Sequence, residues 1–305
     1  MVSMRIVSLL PSATEIVYAL GLGNELVGVS HECDFPDGVK TKIVLTNAEI
    51  NSEQPSGAID TAVKESVHKG VGIYHLDQEM LKKADPDIIL TQELCDVCAV
   101  SFSEVKQAAR ILDGDRKIVS LEPKTLADIL DNIKTVGEIT DRRGEAAKLI
   151  GELQQRIDKV KSMTKDVDFR PTTLCLDWMD PPYAAGHWIP EMVEIAGGVD
   201  SFGIKGKASV EINWEKVVEV DPERIIVMPC GFDIPRVLKE INVLKSVKGW
   251  SQINAVRNSR AYASDGNSYF SRPGPRVVTG LEILAEIIQP DYFIDVAPPR
   301  SYEWI

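Results

Sequence analysis

The stretch that decides the fold of this chain is RIVSLLPSATE, at residues 5–15. Its apolar first half is typical of a short buried strand. Ser12 and Glu15 stand at the spacing of a capping box, which predicts that a helix begins there. Backbone N–H groups at such a turn can bind a polar group of a ligand, so Ser12 is a candidate ligand-binding residue. A helix cap without a ligand is the alternative.

The same alternation of strand-like and helical segments continues along the chain. Further strand-like runs are predicted at residues 25–29, 87–91, 117–121, 172–176, 224–228 and 260–263. Helical segments separate these runs, and strands that alternate with helices form parallel sheets from βαβ units. The sequence therefore predicts an α/β protein with two lobes.

The longest periodic segment lies between the lobes. Apolar residues recur at helical spacing from Leu126 to Val160, which predicts one long, rigid helix, with Gly137 and Gly144 as places for a kink. The predicted domains are an N-terminal α/β lobe (1–123), a connecting helix (124–165), a C-terminal α/β lobe (166–290) and an extended tail (291–305).

The two halves repeat a local pattern. Glu79 lies six positions before Asp85, and Glu215 lies six positions before Asp221; a strand-like run follows each aspartate. Similar helix–turn–strand units occur in any α/β protein, but a second repeat in the same order favours duplicated lobes.

Composition and charge exclude some partners. The net charge is −12, and a nucleic-acid partner would need a basic face. No apolar run is long enough to span a membrane. The first residues lack the pattern of a secretory signal, so a cytoplasmic monomer is expected, or a periplasmic or extracellular protein if the start is incomplete.

A group of thiols and one imidazole suggests a metal site. Two loops that follow strand-like runs carry His31, Cys33, Cys95 and Cys98. If the loops meet at one edge of a sheet, these side chains supply the ligand types and number of a tetrahedral zinc site. Zinc or iron is the candidate metal. Packed thiols beneath a ligand-facing loop are the alternative.

The loops after the C-terminal strands are rich in aromatic residues. The candidate ligand-binding residues here are Trp178, Pro182, Tyr183, His187, Trp188, Phe232, Tyr269, Phe270 and Arg272. Aromatic walls with a few polar groups suit a large, flat, partly apolar ligand; aromatics that only fill the seam between lobes are the alternative. The chain lacks a nucleophile elbow, a Walker-type loop and a zinc-protease motif, so no enzyme activity and no catalytic cofactor are expected.

These features together resemble the substrate-binding proteins of ABC importers for iron chelates and vitamin B12, and most closely the cobalamin-binding branch. The motifs that carry the resemblance are the 5–15 stretch, the lead-in at 85–87, the long central helix and residues 269–272. The resemblance implies two Rossmann-like lobes joined by one rigid helix, with a corrinoid in the cleft between them.

The resemblance also assigns roles to single residues. It implies that Glu79 and Glu215 dock on an ABC permease. Under the hypothesis of a corrinoid ligand, Asp34, His187 and Arg272 would contact its polar groups, and His187 or His31 would ligate its cobalt. Gln92 and Ser209 stand where better-known B12 binders carry aromatic residues.

Two other functions remain open. The chain could be a metal or metal-chelate binding protein that uses the four thiol and imidazole ligands, or an enzyme built on the same two lobes.

Overall fold

A computed structural model describes residues 4–69, 72–92, 102–110, 112 and 116–305. The chain divides into two compact units. The N-terminal unit comprises Met1–Gln54, Ala58–Pro123 and Asp128–Ile150. The C-terminal unit comprises Pro55–Gly57, Lys124–Ala127 and Gly151–Ile305.

The first half of the chain forms short parallel strands with helices between them. Its strands are β1 (Ile6–Ser8), β2 (Leu26–Val29), β3 (Ile43–Val44), β4 (Thr46–Ala48), β5 (Tyr74–Leu76), β6 (Ile88–Thr91) and β7 (Lys117–Ser120). Its helices are α1 (Pro11–Ala19), α2 (Ser56–Lys69), α3 (Gln78–Ala84), α4 (Phe102–Ala109), α5 (Leu126–Ile139) and α6 (Arg143–Thr164).

The main sheet of the N-terminal unit is parallel, in the order β3-β2-β1-β6-β7. β4 and β5 form a separate antiparallel pair. Buried aliphatic side chains such as Val7, Leu81 and Ile89 form the core under this sheet. Because the central strands β1 and β6 are buried on both faces, they read as continuous apolar runs in the sequence.

The second half repeats this plan with additional strands. Its strands are β8 (Thr172–Met179), β9 (Pro182–Ala184), β10 (Val199–Asp200), β11 (Val210–Glu211), β12 (Arg224–Val227), β13 (Ala261–Ser264) and β14 (Tyr302–Trp304). Its helices are α7 (Ile189–Ile195), α8 (Trp214–Val220), α9 (Ile234–Glu240), α10 (Asn242–Lys245), α11 (Asn254–Arg257), α12 (Gly266–Tyr269) and α13 (Val277–Ile288).

The C-terminal sheet has the order β11-β9-β8-β12-β13-β14, with β10 also paired to β8. β10, β8, β12 and β13 are parallel neighbours, which matches the order β2-β1-β6-β7 of the N-terminal sheet. The predicted strands are confirmed in both units, and the shared strand order supports the duplication inferred from the sequence. The short strands β3, β4, β5, β9, β10, β11 and β14 were not predicted.

The prediction of one long helix is wrong, because α5 ends at Ile139 and α6 begins at Arg143. Asp141 has a left-handed backbone conformation (φ 57°), which no α-helix accommodates. The first turn of α6 also approaches Gly137 closely: a Cβ there would lie 2.4 Å from the Ala146 Cβ. Gly137 therefore permits the tight turn, and the apolar stripe continues through a break in the helix.

The C-terminal tail joins the sheet through its last residues, which form the short strand β14 after a series of turns and bends. β14 pairs antiparallel with β13, and Ile305 packs against the core of the C-terminal unit. The Glu286 carboxylate accepts hydrogen bonds from the backbone N–H groups of Val296 and Ala297, each at 2.8 Å. The tail is thus an ordered part of this unit.

Candidate functional site

The aromatic loops of the C-terminal unit lie at one edge of its sheet. Because β8, β12 and β13 are parallel, their carboxyl ends share this edge, where ligands bind in open α/β sheets. Trp178 pairs across β8 and β9 with Tyr183, and its ring packs edge-on against Phe232 with centroids 5.3 Å apart. The structure therefore brings these predicted site residues together.

These aromatic side chains form a buried layer beneath a half-buried one. Trp188, Phe232 and Phe270 are almost fully buried, and the Trp188 indole N–H donates to the Phe270 carbonyl at 2.9 Å. Trp178, Pro182, Tyr183 and Tyr269 are half-buried and keep accessible surface. The buried layer holds the loops in place, and the half-buried layer offers contacts to a ligand. Ligand contact by either layer stays a prediction.

A half-buried acid at this edge, Asp177, was not predicted as a site residue. Asp177, near the end of β8, accepts a hydrogen bond from the Ser209 hydroxyl, which in turn accepts from the Gly186 N–H at 3.1 Å. Burial raises the pKa of Asp177 to about 6, although the hydrogen bond from Ser209 opposes that rise. Its position beside Trp178 was the available signal: a charged residue that continues a buried strand needs partners.

Gly186 makes this arrangement possible. A Cβ at Gly186 would lie 2.3 Å from the Lys207 carbonyl oxygen and 2.7 Å from the Ser209 nitrogen. Only glycine allows the segment before Ser209 to pass so close. The contact brings Ser209 within reach of Asp177.

His187 is held in an uncommon conformation in the same loop. Its φ is 53°, its N–H donates to the Lys207 carbonyl at 2.6 Å, and its own carbonyl accepts from Gly206 at 2.8 Å. Burial, and to a lesser extent the charge of Lys124, lowers the pKa of His187, so the imidazole is neutral at pH 7. Within the described part of the chain, neither ring nitrogen has a hydrogen-bond partner, and Nδ1 is fully buried. Nε2 is therefore the ring nitrogen that is accessible for contact with a ligand.

Arg272 lies in the last loop of the site. It is buried, and its Nη2 donates to the Asn267 side chain at 2.8 Å. Asp265 caps α12 by accepting from the Ser268 N–H at 2.7 Å. Burial, with the charge of Asp265, raises the pKa of Tyr269, so its hydroxyl stays protonated at neutral pH. The loop thus presents Tyr269 as a neutral hydroxyl.

The capping box predicted in the N-terminal unit is absent. α1 begins at Pro11 with Leu10 as N-cap, and no side chain caps it. Proline fixes φ for the first turn and starts the helix ahead of Ser12, which therefore lies inside it and is buried. The hydroxyl groups nearby bond to one another instead: Thr14 donates to Ser8 at 2.9 Å, and Ser8 donates to the Leu10 carbonyl.

The predicted metal ligands are only partly described. Nδ1 of His31 lies 2.6 Å from the Thr46 hydroxyl, and Nε2 lies 3.2 Å from the Glu32 carboxylate. The Cys33 sulfur lies 3.1 Å from the Thr14 hydroxyl. Cys95 and Cys98 lie outside the described residues. Within the residues that the structure describes, no three His, Cys, Asp or Glu side chains are grouped to hold a metal, so the zinc or iron site stays a prediction.

The remaining predicted residues are accessible. Asp34 is exposed in the loop after β2. Glu79 and Glu215 are exposed and occupy the second position of α3 and α8 respectively. Asp77 caps α3 and Asn213 caps α8 with their side chains, so both glutamates sit on ordered first turns.

Comparisons with known proteins agree with this fold. The chain is 27% identical over 303 residues to the uncharacterized ABC transporter substrate-binding lipoprotein YvrC of Bacillus subtilis, with 95% of this chain and 81% of that protein covered. It is 23% identical over 282 residues to a vitamin B12-binding protein of Vibrio cholerae, with 91% and 86% covered. A periplasmic heme-binding protein from Pseudomonas aeruginosa shares the fold, with a TM-score of 0.71 and 19% identity over 95% of this chain and 94% of that one.

The parallel α/β units and these matches define a solute-binding protein of ABC uptake systems. Residues 6–267 match the model of the periplasmic binding protein family, and the chain belongs to that family. The named relatives are substrate-binding proteins, which agrees with the expectation that the chain is not an enzyme. One of them is a lipoprotein and the matched family is that of periplasmic binding proteins, so the comparisons do not support the expected cytoplasmic location. In the described part of the chain, no helix is both long and apolar enough to cross a bilayer.

Proposed function

We propose that this protein binds a corrinoid at the carboxyl edge of its C-terminal sheet and delivers it to an ABC permease. The observation that carries the proposal is the half-buried pair Trp178 and Tyr183, backed by the buried ring of Phe232. A preformed aromatic surface suits a large, flat, partly apolar ligand, because no packing has to be broken to expose it. The named vitamin B12-binding relative supports the choice of a corrinoid.

His187 would ligate the cobalt of the corrinoid. A metal ligand must offer a lone pair, and burial keeps this imidazole neutral at pH 7. The two backbone hydrogen bonds to Lys207 and Gly206 fix the loop on both sides of the ring. The neutral hydroxyl of Tyr269 and the guanidinium of Arg272 would contact the polar groups around the ring system.

The proposal is tested by titration of the full-length protein with aquocobalamin and cyanocobalamin, followed by visible absorption. We expect saturable binding of both, and Trp178→Ala should weaken it by about tenfold or more, since a buried aromatic contact contributes 1–2 kcal/mol or more. Trp304→Ala is the matched control, because Trp304 is a strongly exposed tryptophan on β14. Equal losses in both variants, or no saturable change with any cobalamin, would overturn the proposal.

Cobalt ligation has its own readout. Replacement of cobalt-bound water by an imidazole shifts the visible bands of aquocobalamin, and we expect this shift to disappear in His187→Ala. The exposed His68 of α2 provides the matched control, His68→Ala. A shift that persists in His187→Ala would exclude this residue as the ligand.

Heme is the alternative ligand, because a structural neighbour is named as a heme-binding protein. The same titration with hemin separates the two ligands: a Soret shift without any response to cobalamins would reassign the site to heme. In either case the aromatic pair at Trp178 and Tyr183 would form the wall of the site.

A further inference from the structure

A separate cavity of about 460 Å³ lies at the opposite edge of the C-terminal sheet. Its lining includes Arg224, the first residue of β12, and Arg260, which directly precedes β13. This is the amino edge of the parallel strands, so the cavity shares no residue with the aromatic edge described above. The inference drawn from it stands independently of the proposed function.

The two arginines are neighbours across the sheet. Ile225 pairs with Ala261 in the parallel register, so the residues before them, Arg224 and Arg260, lie side by side and on the same face. Like charges opposite each other in a sheet are destabilising. Burial, together with the charge of Arg260, lowers the pKa of the Arg224 guanidinium. An anion bound by both guanidinium groups would offset the repulsion between Arg224 and Arg260.

Among the described residues, neither guanidinium forms an ion pair with a carboxylate, although the more distant charges of Glu223 and Asp291 attract Arg224. Arg224 is 8% exposed, and it donates to two backbone carbonyls, that of Ile287 at 3.2 Å and that of Glu223 at 3.0 Å. These bonds fix the guanidinium at the end of α13 but leave its Nη2 without an acceptor. Over the described residues, no carboxylate lies within ion-pair distance of Arg224 or Arg260, and the Arg260 side chain makes no hydrogen bond.

Aromatic rings stand beside this positive pair. Phe169 is 57% exposed and Tyr292 is 44% exposed, and both line the cavity. The Gln289 side chain donates to the Phe169 carbonyl at 2.7 Å, which holds the backbone of that residue in place. Tyr262 adds a third ring, packed against Tyr302 at 5.7 Å. Large exposed apolar rings around buried charge are typical of a ligand site.

Two carboxylates also line the cavity. Asp168 and Asp291 are exposed, whereas Arg224 is buried. Solvent screens the exposed aspartates more than the buried arginine, so a single negative charge beside Arg224 is favoured. Asp168 and Asp291 would repel a dianion more strongly than a monoanion.

We propose that this cavity is a second ligand site, which binds a small organic monoanion: a carboxylate on a flat apolar body. The carboxylate lies between Arg224 and Arg260, as guanidinium groups bind carboxylates through paired N–H donors. The flat body lies against the rings of Phe169, Tyr262 and Tyr292.

The test uses benzoate as the probe and benzyl alcohol as its neutral counterpart, with calorimetry and amide chemical shifts on the full-length protein. We expect saturable benzoate binding with shifts at the amides of residues 260–262, 288, 289, 291 and 292, and no saturable binding of benzyl alcohol. Arg260→Gln should weaken benzoate binding by about tenfold or more, because it removes a charge-assisted hydrogen bond to the carboxylate. Because the Arg260 side chain makes no hydrogen bond within the described residues and faces the like charge of Arg224, this variant should keep or slightly raise the wild-type Tm.

The matched control is Arg257→Gln, three residues earlier, where the arginine lies 3.6 Å from the Asp221 carboxylate and outside the cavity. It changes the net charge equally and should leave benzoate binding unchanged. Three results would overturn the proposal: no saturable benzoate binding, equal binding of benzyl alcohol, or equal effects of Arg260→Gln and Arg257→Gln. Because none of these measurements involves a corrinoid, failure here is distinct from failure of the proposed function.

Discussion

Glu79 and Glu215 occupy the same position of two equivalent structural units. Each is the second residue of a seven-residue helix, α3 or α8, that has a side-chain N-cap. Each helix ends at an aspartate in the left-handed conformation, Asp85 with φ 39° and Asp221 with φ 50°, whose N–H donates four residues back at 3.0 Å. A fully buried four-residue strand follows each aspartate. The two glutamates are therefore exposed on the first turn of the same local helix–turn–strand structure.

A pair of equivalent exposed acids suits recognition by two equivalent sites on a partner. We expect Glu79→Gln and Glu215→Gln each to lower cobalamin uptake by about tenfold in cells that carry the variant in place of the wild-type chain. Cobalamin affinity of the purified variants should not change, because neither residue lies at the aromatic edge. Glu219→Gln, an exposed acid on α8, is the control. Normal uptake by both variants would exclude docking through these residues.

The break between α5 and α6 predicts opposite effects for two glycines. A Cβ at Gly137 would lie 2.4 Å from Ala146 and 3.0 Å from the Arg142 carbonyl oxygen, whereas a Cβ at Gly144 meets nothing within 4 Å. Gly137→Ala should therefore destabilise the protein by about 1–3 kcal/mol, as overpacking does. Gly144→Ala should stabilise it by up to about 1 kcal/mol, because alanine is the better helix former.

Urea unfolding of both variants measures this difference. The substitutions are chemically identical and only seven positions apart, so each serves as the control for the other. If both variants gain stability, α5 and α6 form the continuous helix that the apolar stripe suggested.

The central parallel strands could be predicted from the sequence because they are buried on both faces. Val7 and Ile89 have no solvent-facing side, so their strands stand out as unbroken apolar runs. The short strands β9 and β11 consist mostly of exposed or half-buried residues, and they form because β8 pairs with β9 and β9 pairs with β11. Pairing of that kind depends on distant segments and leaves no local pattern.

The break between α5 and α6, and the difference in burial among the loop aromatics, could not be predicted either, because both depend on contacts with distant segments. The apolar stripe continues past Asp141, and its left-handed backbone has no signature in hydrophobic spacing. Trp178 and Trp188 read alike as loop aromatics, yet one is half-buried and the other is buried with its N–H on Phe270. Which loop residue is covered is decided by tertiary packing. Asp177 was missed because its partner Ser209 is distant in sequence.

The raised pKa of Asp177 predicts that the stability of the protein falls as the pH rises. Its carboxyl pKa is about 6 in the folded protein and 3.8 in the reference state, so the native state binds the proton more tightly. The contribution of this group to stability is therefore full below pH 4 and is lost as the pH rises through 6. The loss amounts to about 2–3 kcal/mol, at about 1.4 kcal/mol per pKa unit.

Asp177→Asn isolates this contribution, because asparagine keeps the shape of the side chain and does not titrate. The free energy of unfolding should fall from pH 4 to pH 7 by about 2–3 kcal/mol more in the wild type than in the variant. Urea unfolding at a series of pH values measures both curves. Parallel curves would show that Asp177 titrates normally, and Ser209→Ala should move its midpoint upward by removing the hydrogen bond that favours the ionised form.

The Glu286 carboxylate accepts three hydrogen bonds from the C-terminal tail. Glu286 accepts from Val296 and Ala297 through one oxygen and from the Tyr302 hydroxyl, at 2.8 Å, through the other. Burial and this carboxylate raise the pKa of Tyr302, so its hydroxyl remains a donor at neutral pH. Elsewhere in the segment before β14, Phe293 is buried and the Ser264 hydroxyl donates to the Ser301 carbonyl at 2.8 Å, whereas Ile294 is 74% exposed.

We expect Glu286→Ala to free the tail while the rest of the unit stays folded. Loss of three hydrogen bonds to a charged group should cost about 3 kcal/mol or more, and Tyr302→Phe, which removes one of them, about 1.5 kcal/mol. Amide hydrogen exchange of residues 302–305 should rise in that order, because the β13–β14 pairing opens locally once its anchor is gone. Glu303→Gln is the control, since Glu303 is an exposed acid on the same strand. Wild-type protection of β14 in Glu286→Ala would mean that its pairing with β13 and the packing of Ile305 hold the tail by themselves.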